Sequence, residues 1–268
     1  MPRASLALCL ALAACKPPPE APTELDELSA YLFRNWESEE EGVLEAGMGN
    51  LRTFFDGMDL DLGYNDRTYA LDPLTEEDVA GITRPEGSDP ADTLPVGLVA
   101  GSAFTPTEHT EVIILADQTP VEPNSPDQYE RIFLDPENPS CFPDRGCPIL
   151  RTNNDIIKDN WLMTIPYEMI KDFRWVELTE VGSGDWGILA RTWMEEEGVG
   201  EEGENTINQS YSIDVFLPAS GSWAAYRYMA LWSQSTTAIE DEDLIMGATK
   251  TGINQIFEAT EEWLEENL

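Results

Sequence analysis

A run of alternating residues near the C-terminus constrains the fold most strongly. Every second side chain is apolar and points to one side, and these residues are Tyr211, Ile213, Val215 and Leu217. Mostly polar residues stand between them, and this period of two is typical of a β-strand with one buried face. Residues 218–221 predict a four-residue turn that pairs Leu217 with Ser222 and Ile213 with Tyr226. The segment therefore predicts an antiparallel hairpin whose apolar side needs a covering layer.

A long amphipathic helix follows this hairpin. Residues 240–243 are acidic and suit the positive end of a helix dipole, and residues 244–268 contain no proline. Apolar residues at helical spacing form a stripe along it, namely Ile245, Ile253, Ile256, Phe257, Trp263 and Leu264. Glutamates occupy the opposite face, so the stripe predicts packing against a sheet.

The segments before this helix predict the sheet itself. Runs rich in β-branched and aromatic residues alternate with turn clusters, as is typical of strands. They cover residues 96–104, 112–116, 131–134, 161–167, 173–178, 187–194, 210–217 and 223–232. Residues 25–55 have apolar residues at helical spacing, broken near Gly42, and predict two helices or one kinked helix. The expected fold class is α+β, with an antiparallel β-sheet, a long C-terminal helix packed across it and an N-terminal helical segment, in one domain over residues 25–268.

This order of elements resembles the helix-grip fold of the START and polyketide-cyclase-like (SRPBCC) superfamily. The residues that carry the resemblance are 160–167, 172–176, the hairpin at 211–232 and the helix that ends at Leu268. The resemblance implies a cavity for an apolar molecule between sheet and helix. Small residues leave space on the helix at Gly247, Ala248, Gly252 and Ala259. The ligand-binding residues expected from it are Tyr211, Tyr226, Tyr228, Trp232 and Gly252.

The N-terminus resembles a bacterial lipoprotein signal. Arg3 precedes an uncharged apolar run, and small residues lead to Cys15, as in a lipobox. The resemblance implies cleavage of residues 1–14 and lipidation of Cys15, which would anchor the protein to a membrane of the cell envelope. Residues 15–24 are proline-rich and predict an extended tether. Lys16 follows the cysteine where aspartate would favour the inner membrane, so the sorting rule favours the outer membrane.

Charge and cysteine content exclude one class of partner and predict one covalent link. The formal net charge of −37 repels phosphate backbones, so we expect no nucleic acid partner. Either the salt of a saline habitat or bound cations would reduce the repulsion among these acidic side chains. Export places the remaining cysteines in an oxidising compartment, and the turn residues between Cys141 and Cys147 predict a disulfide there.

No catalytic or metal-binding pattern is recognisable in the sequence. His109 is the single histidine, and we expect it at the surface or at the start of a helix. Residues 56–63 contain three aspartates but depart from the EF-hand spacing. We therefore expect no catalytic residue, no metal centre and no cofactor, and an enzyme such as a cyclase or hydrolase ranks third among the possible functions.

Two functions fit the sequence better than an enzyme does. The first is a lipid-anchored, non-enzymatic envelope protein that binds an apolar small molecule or lipid in a START-like cavity. The second is a structural or interaction lipoprotein with a filled core that contacts other envelope components. Both remain open at this point, because small residues on the helix permit tight packing as well as a cavity.

The lipobox makes a prediction of its own. Metabolic labelling with a palmitate analogue should mark the protein, and Cys15→Ser should abolish the label and leave a larger precursor on a denaturing gel. Labelling that survives the substitution would contradict lipidation at Cys15.

Overall fold

The computed structural model describes residues 20–40, 42–160, 163–179, 185–201, 203, 205–237, 239 and 241–268. Within these residues an antiparallel sheet forms around the expected hairpin. Its strands are β1 (Thr68–Ala70), β2 (Leu94–Ser102), β3 (Gln128–Asp135), β4 (Ile149–Asp159), β5 (Thr164–Glu177), β6 (Trp186–Trp193), β7 (Gly198–Val199), β8 (Thr206–Pro218) and β9 (Ala225–Thr236). They lie in the order β1-β2-β9-β8-β6-β5-β4-β3, and the short β7 also pairs with β8.

The hairpin of β8 and β9 pairs in a different register from the predicted one. Leu217 faces Tyr226, four residues further along the chain than expected. The loop is longer because the Ala224 N–H donates to the Ser102 carbonyl of β2 at 2.8 Å, so the chain contacts β2 before β9 begins. Since the shift is an even number of residues, the same side chains still share one side of the sheet.

Two N-terminal helices cover this apolar side of the hairpin. They are α1 (Leu25–Arg34) and α2 (Val43–Phe55), and the chain between them leaves the helical conformation. The Phe33 ring lies 5.9 Å from that of Tyr211 and 6.0 Å from that of Trp232. We call this side the helix-pair face, defined by Tyr211, Ile213, Val215, Leu217, Tyr226, Tyr228, Ala230 and Trp232.

The C-terminal helix packs on the opposite side of the sheet. This helix, α4 (Glu242–Asn267), begins at Asp241, whose side chain accepts a hydrogen bond from the Leu244 N–H. Ile253 and Phe257 of α4 contact residues of β2 and β9. We call this side the cavity face, defined by Lys171, Thr192, Ser212, Asp214, Met229 and Leu231. The α+β class, the antiparallel sheet and the long helix across it are thereby confirmed, in a helix-grip arrangement.

One predicted strand is absent and one long strand was not predicted, each for an identifiable reason. The sequence pattern does not predict β4, because its inward positions include Thr152 and Asn154, which are buried and hydrogen-bonded rather than apolar. Residues 112–116 carry a strand pattern, but the chain forms a short helix, α3 (Thr110–Ile113). Reciprocal hydrogen bonds between Thr105 and Glu108 begin this turn and form a capping box that the apolar run obscured.

Two further predicted strands merge into one. The pattern predicts separate strands at residues 161–167 and 173–178, whereas β5 runs without interruption over Thr164–Glu177. Trp161 and Leu162 lie outside the described residues. The long strand brings Lys171 to the middle of the sheet, where it becomes part of the site described below.

The disulfide is confirmed, with the Cα atoms of Cys141 and Cys147 5.4 Å apart. Phe142 inside this loop is fully buried, and its carbonyl accepts a hydrogen bond from Trp175 Nε1 at 2.8 Å. The disulfide therefore closes a loop that is attached to β5.

Part of the predicted tether rests on the folded body. Asn50 Nδ2 donates to the carbonyls of Ala21 and Pro22 at 3.0 and 2.8 Å. The signal segment and Cys15 lie outside the described residues, so their assignment stays a prediction.

Candidate ligand-binding site

A cavity of about 180 Å³ lies between the cavity face and α4. Strands β3 to β6, β8 and β9 form its floor, and α4 forms its roof. The chain between α3 and β3, with Glu122 and Asn124, closes one wall. The cavity is partly open to solvent, so a ligand could enter without unfolding of the sheet.

Only the second half of α4 has fully buried residues, which pack on the sheet and on the segment around α3. Its buried residues are Ile253, Phe257, Thr260 and Leu264. Every residue of α4 before Ile253 keeps some exposure, although Ile245 and Met246 are apolar and line the cavity. The second half of the helix therefore anchors it, and the first half spans the cavity as a roof.

The floor of the cavity is rich in hydroxyl groups. Thr192 and Ser212 face each other across β6 and β8, and Ser210 faces Ser233 across β8 and β9. Thr192 is 4% exposed, and its Oγ1 has no hydrogen-bond partner among the residues that the structure describes. A buried hydroxyl without a partner costs free energy, which a bound polar group would recover.

A buried ion pair crosses the same floor. Lys171 Nζ lies 2.6 Å from Asp214 Oδ2, and the two side chains are 13% and 4% exposed. The attraction between the charges offsets the cost of removing both from water. Lys171 is therefore neutralised within the protein.

Two further ionisable groups line the cavity. Burial raises the pKa of Glu122 to about 7, although the nearby Lys171 ammonium opposes this and the Asp214 carboxylate adds to it. Burial lowers the pKa of Lys158, and the Glu122 carboxylate opposes that shift. The Glu122 carboxyl therefore holds its proton to a higher pH than an exposed glutamate does.

Two tyrosines extend the polar lining toward β3 and β5. Burial raises the pKa of Tyr129 and of Tyr167, so both hydroxyls stay protonated and can donate hydrogen bonds. Beside them, Arg131 is buried and held by Asn154 Oδ1 at 3.0 Å and the Ile113 carbonyl at 2.6 Å. This end of the cavity is consequently the polar end.

The four aromatic side chains expected to line a cavity lie instead on the helix-pair face. These residues are Tyr211, Tyr226, Tyr228 and Trp232, all buried in the core with α1 and α2. The Tyr228 hydroxyl shares a hydrogen bond of 2.8 Å with Ser29 of α1. The correction has a physical reason: the largest apolar area of the sheet is closed by the apolar helix pair, and α4 takes the other face.

The small residues of α4 divide between the cavity and its surroundings. Gly252 and Ala248 line the cavity, as expected. A Cβ atom on Gly252 would lie 3.3 Å from Asn124 Nδ2, whereas one on Gly247 would meet nothing within 4 Å. Ala259 lies beyond the cavity, in the anchored half of the helix.

Sequence reasoning missed the polar residues of the lining. Lys158 and Lys171 follow the apolar pairs at residues 156–157 and 169–170 on strands, and lysine is rare in this chain. A lysine within an apolar strand, in a chain with four lysines, is the sequence feature that could have indicated these cavity residues. The alternation assigns the serines of the hairpin to a wetter side of the sheet, which is in fact the cavity face.

His109 lies at the start of the helix α3, which is one of the two positions expected for it. It is not at the surface, because it is 1% exposed. Ser102 Oγ lies 2.9 Å and Glu261 Oε1 3.9 Å from its Nε2. Both partners approach the same nitrogen, whereas a catalytic triad has the carboxylate on Nδ1. Burial lowers the pKa of His109 well below 6.5, so the ring is neutral. We assign it a packing role.

The aspartates of residues 56–63 do not form a metal site in the structure. Asp56 Oδ1 accepts hydrogen bonds from Ser220 Oγ at 2.8 Å and from the Tyr226 hydroxyl at 3.0 Å. Among the described residues, no group of three or more histidine, cysteine or acidic side chains is placed to hold a metal ion. Asp56 therefore connects the end of α2 to the hairpin.

Comparison with known proteins finds similarity to solved structures alone. No protein-family model and no curated protein matches the sequence. A protein of Thermus thermophilus is 12% identical, with 64% of this chain and 97% of that chain covered at a TM-score of 0.37. The STAR-related lipid transfer protein of Xanthomonas axonopodis is 11% identical, and the similarity covers 67% of this chain and 89% of that chain at a TM-score of 0.41. Norcoclaurine synthase of Thalictrum flavum, solved with dopamine and hydroxybenzaldehyde, is 11% identical. The similarity covers 66% of this chain and 90% of that chain at a TM-score of 0.38. At these levels the overlap carries no functional argument.

The pKa of Glu122 predicts a pH dependence of stability. Because the pKa is about 7 in the folded chain and ~4.3 in the unfolded chain, only the unfolded chain loses this proton as pH rises between these values. Glu122 therefore lowers stability progressively over that range and no further above it. We expect urea denaturation to show Glu122→Gln gaining stability relative to the wild type from about pH 5 to about pH 7.5. A difference that is constant with pH would contradict the assignment.

Proposed function

We propose that this protein binds an apolar small molecule, or one short lipid chain, in the cavity beneath α4, without catalysing a reaction. The observation that carries the proposal is the cavity itself, which remains open on one side of a sheet whose other side is covered by α1 and α2. Protein interiors are normally filled to high density, so a space of this size needs a reason. A ligand supplies one.

The residues that line the cavity are those expected of a ligand pocket rather than of a packing defect. Four of the eight methionines border the cavity, namely Met163, Met169, Met229 and Met246. Methionine side chains are flexible and polarisable, and they adapt to ligands of different shape. Together with the hydroxyl-rich floor, they give a lining with both adaptable apolar side chains and polar groups that can orient a ligand.

The volume restricts the ligand to a small one. About 180 Å³ is slightly more than the ~150 Å³ of an engineered cavity that accepts benzene. One ring or one short alkyl chain fits under the roof as it stands, and a larger apolar molecule must extend through the side of the cavity that is open to solvent. A lipid with two long chains would require the first half of α4 to move away from the sheet.

We further propose that the protein is anchored in the cell envelope by lipid on Cys15, with the outer membrane favoured by Lys16. The lipobox and the proline-rich segment support this location. Among the described residues, no helix is sufficiently long and apolar to cross a membrane. The cavity would then hold its ligand close to a membrane surface.

One substitution on α4 tests the binding function. Gly252→Leu places a branched side chain in the cavity and should weaken binding of the neutral fluorescent probe N-phenylnaphthylamine about tenfold or more, because it occupies much of the free volume. Gly247→Leu is the matched control, since it makes the same change on the same helix at an exposed position that does not line the cavity. Both should gain helix propensity. Probe titration, with thermal unfolding to verify folding, measures the effect.

Two outcomes would contradict binding in this cavity. Probe affinity that is equal in the two variants would place the probe elsewhere. A wild-type protein that binds neither the probe nor any extractable small molecule would favour the structural or interaction lipoprotein instead.

A further inference from the structure

The positive charges of the cavity are unusual for this chain. Its formal net charge is −37, and it contains four lysines, at positions 16, 158, 171 and 250. Two of them, Lys158 and Lys171, line the cavity. A strongly acidic protein thus has half of its ammonium groups in one partly buried space.

One of these two ammonium groups is in no ion pair with a described residue. Lys171 is paired with Asp214 at 2.6 Å. The side chain of Lys158 makes no hydrogen bond and no ion pair with any residue that the structure describes. Lys158 is half-buried and burial lowers its pKa, so a ligand of opposite charge would stabilise its ammonium group.

The nearest acidic group does not fully neutralise Lys158. Glu122 interacts electrostatically with it, but burial raises the pKa of the Glu122 carboxyl, which therefore holds its proton to a higher pH than an exposed glutamate does. Lys171 and Asp214 cancel each other, and Arg131 does not line the cavity. Among the described residues of the lining, Lys158 and Glu122 are therefore the charged groups that no ion pair holds.

Uncharged donors lie in the same lining. Thr192 Oγ1 is buried with no partner among the described residues, and Ser212 lies directly across from it. The Tyr167 hydroxyl remains protonated and also borders the cavity. Tyr167 pairs with Ile156, two residues before Lys158 on the same side of β4, whereas Thr192 lies level with Thr152, six residues away. The Tyr167 hydroxyl is therefore the donor placed to bind the same anion as Lys158, and hydroxyl and ammonium donors together bind the oxygens of an anion.

We propose that the cavity selects a small amphiphile with a single carboxylate, which binds to Lys158 while its apolar part lies beneath α4. This inference rests on the proposed binding function and specifies its ligand class. The roof supplies the apolar contacts, through Ile245, Met246 and Ile256, and the floor supplies the donors.

The charge balance favours a carboxylate over other headgroups. One unpaired ammonium matches one negative charge. A phosphate monoester carries about −1.5 to −2 charges near neutral pH and would leave negative charge uncompensated beside Glu122. A neutral headgroup leaves Lys158 unpaired, and a cation would be repelled by it.

A series of ligands with equal chains tests the headgroup. Octanoate, octanol and octyl phosphate compete with N-phenylnaphthylamine for the wild-type protein and for Lys158→Met. We expect octanoate to bind the wild type about tenfold or more tightly than octanol, since a hydrogen bond to a charged group contributes this much. Lys158→Met should lose that preference and keep its affinity for octanol.

Two further variants separate charge from structure. Lys250→Met removes a lysine of α4 that does not line the cavity and should behave as the wild type does. Lys158→Arg retains the positive charge and should retain the preference for octanoate. If Lys158→Met fails to fold, this variant and the wild-type series still decide the question.

The outcomes distinguish this inference from the function on which it rests. Equal affinity of the wild type for octanoate and octanol would overturn the carboxylate and leave apolar binding intact. Tighter binding of octyl phosphate would overturn the choice of headgroup. Retention of the preference in Lys158→Met would overturn the role of Lys158. Failure of all ligands and of the probe to bind would refute the proposed function itself.

Discussion

Burial of the apolar side of β8 and β9 by α1 and α2 is the interaction on which the rest of the structure depends. Phe33 contacts the rings of Tyr211 and Trp232, and Phe55 lies 5.3 Å from Tyr228. Each fully buried large side chain contributes ~1.5–3 kcal/mol, so closing this side stabilises the central strands strongly. Because the helix pair occupies this face, α4 packs on the other one, where the side chains are shorter and more polar.

The composition of the cavity face explains why α4 does not close on it completely. An apolar helix packed directly onto Thr192 and Ser212 would cover their hydroxyl groups without giving them hydrogen-bond partners. The half of α4 from Ile253 onward meets apolar side chains and packs, whereas the half before it spans the polar floor. A space that can hold water or a ligand satisfies those groups. The cavity thus follows from the residues that border it.

Local patterns predicted most of the architecture. Alternation in β8, the acidic start and apolar stripe of α4, and the spacing of Cys141 and Cys147 each reflect interactions between residues close in sequence. Features set by distant contacts were not predicted. The hairpin register depends on the contact of Ala224 with β2. The inward positions of β4 include polar residues, which find hydrogen-bond partners only when the sheet forms, so its sequence does not show the alternation of a strand. The sequence pattern predicts the ligand-binding residues on the apolar side of the hairpin, because no local feature of the sequence shows which helix covers which face of the sheet.

The central claim is that ligand binds on the cavity face and not among the aromatic residues of the helix-pair face. Isotope-labelled methionine methyl groups report on both places, since Met163, Met169, Met229 and Met246 border the cavity and Met48 and Met58 pack in the other core. Titration with N-phenylnaphthylamine, followed by nuclear magnetic resonance, should shift the four cavity methyl signals and leave those of Met48 and Met58 in place. Shifts confined to Met48 and Met58, or no shift at any methyl group, would contradict it.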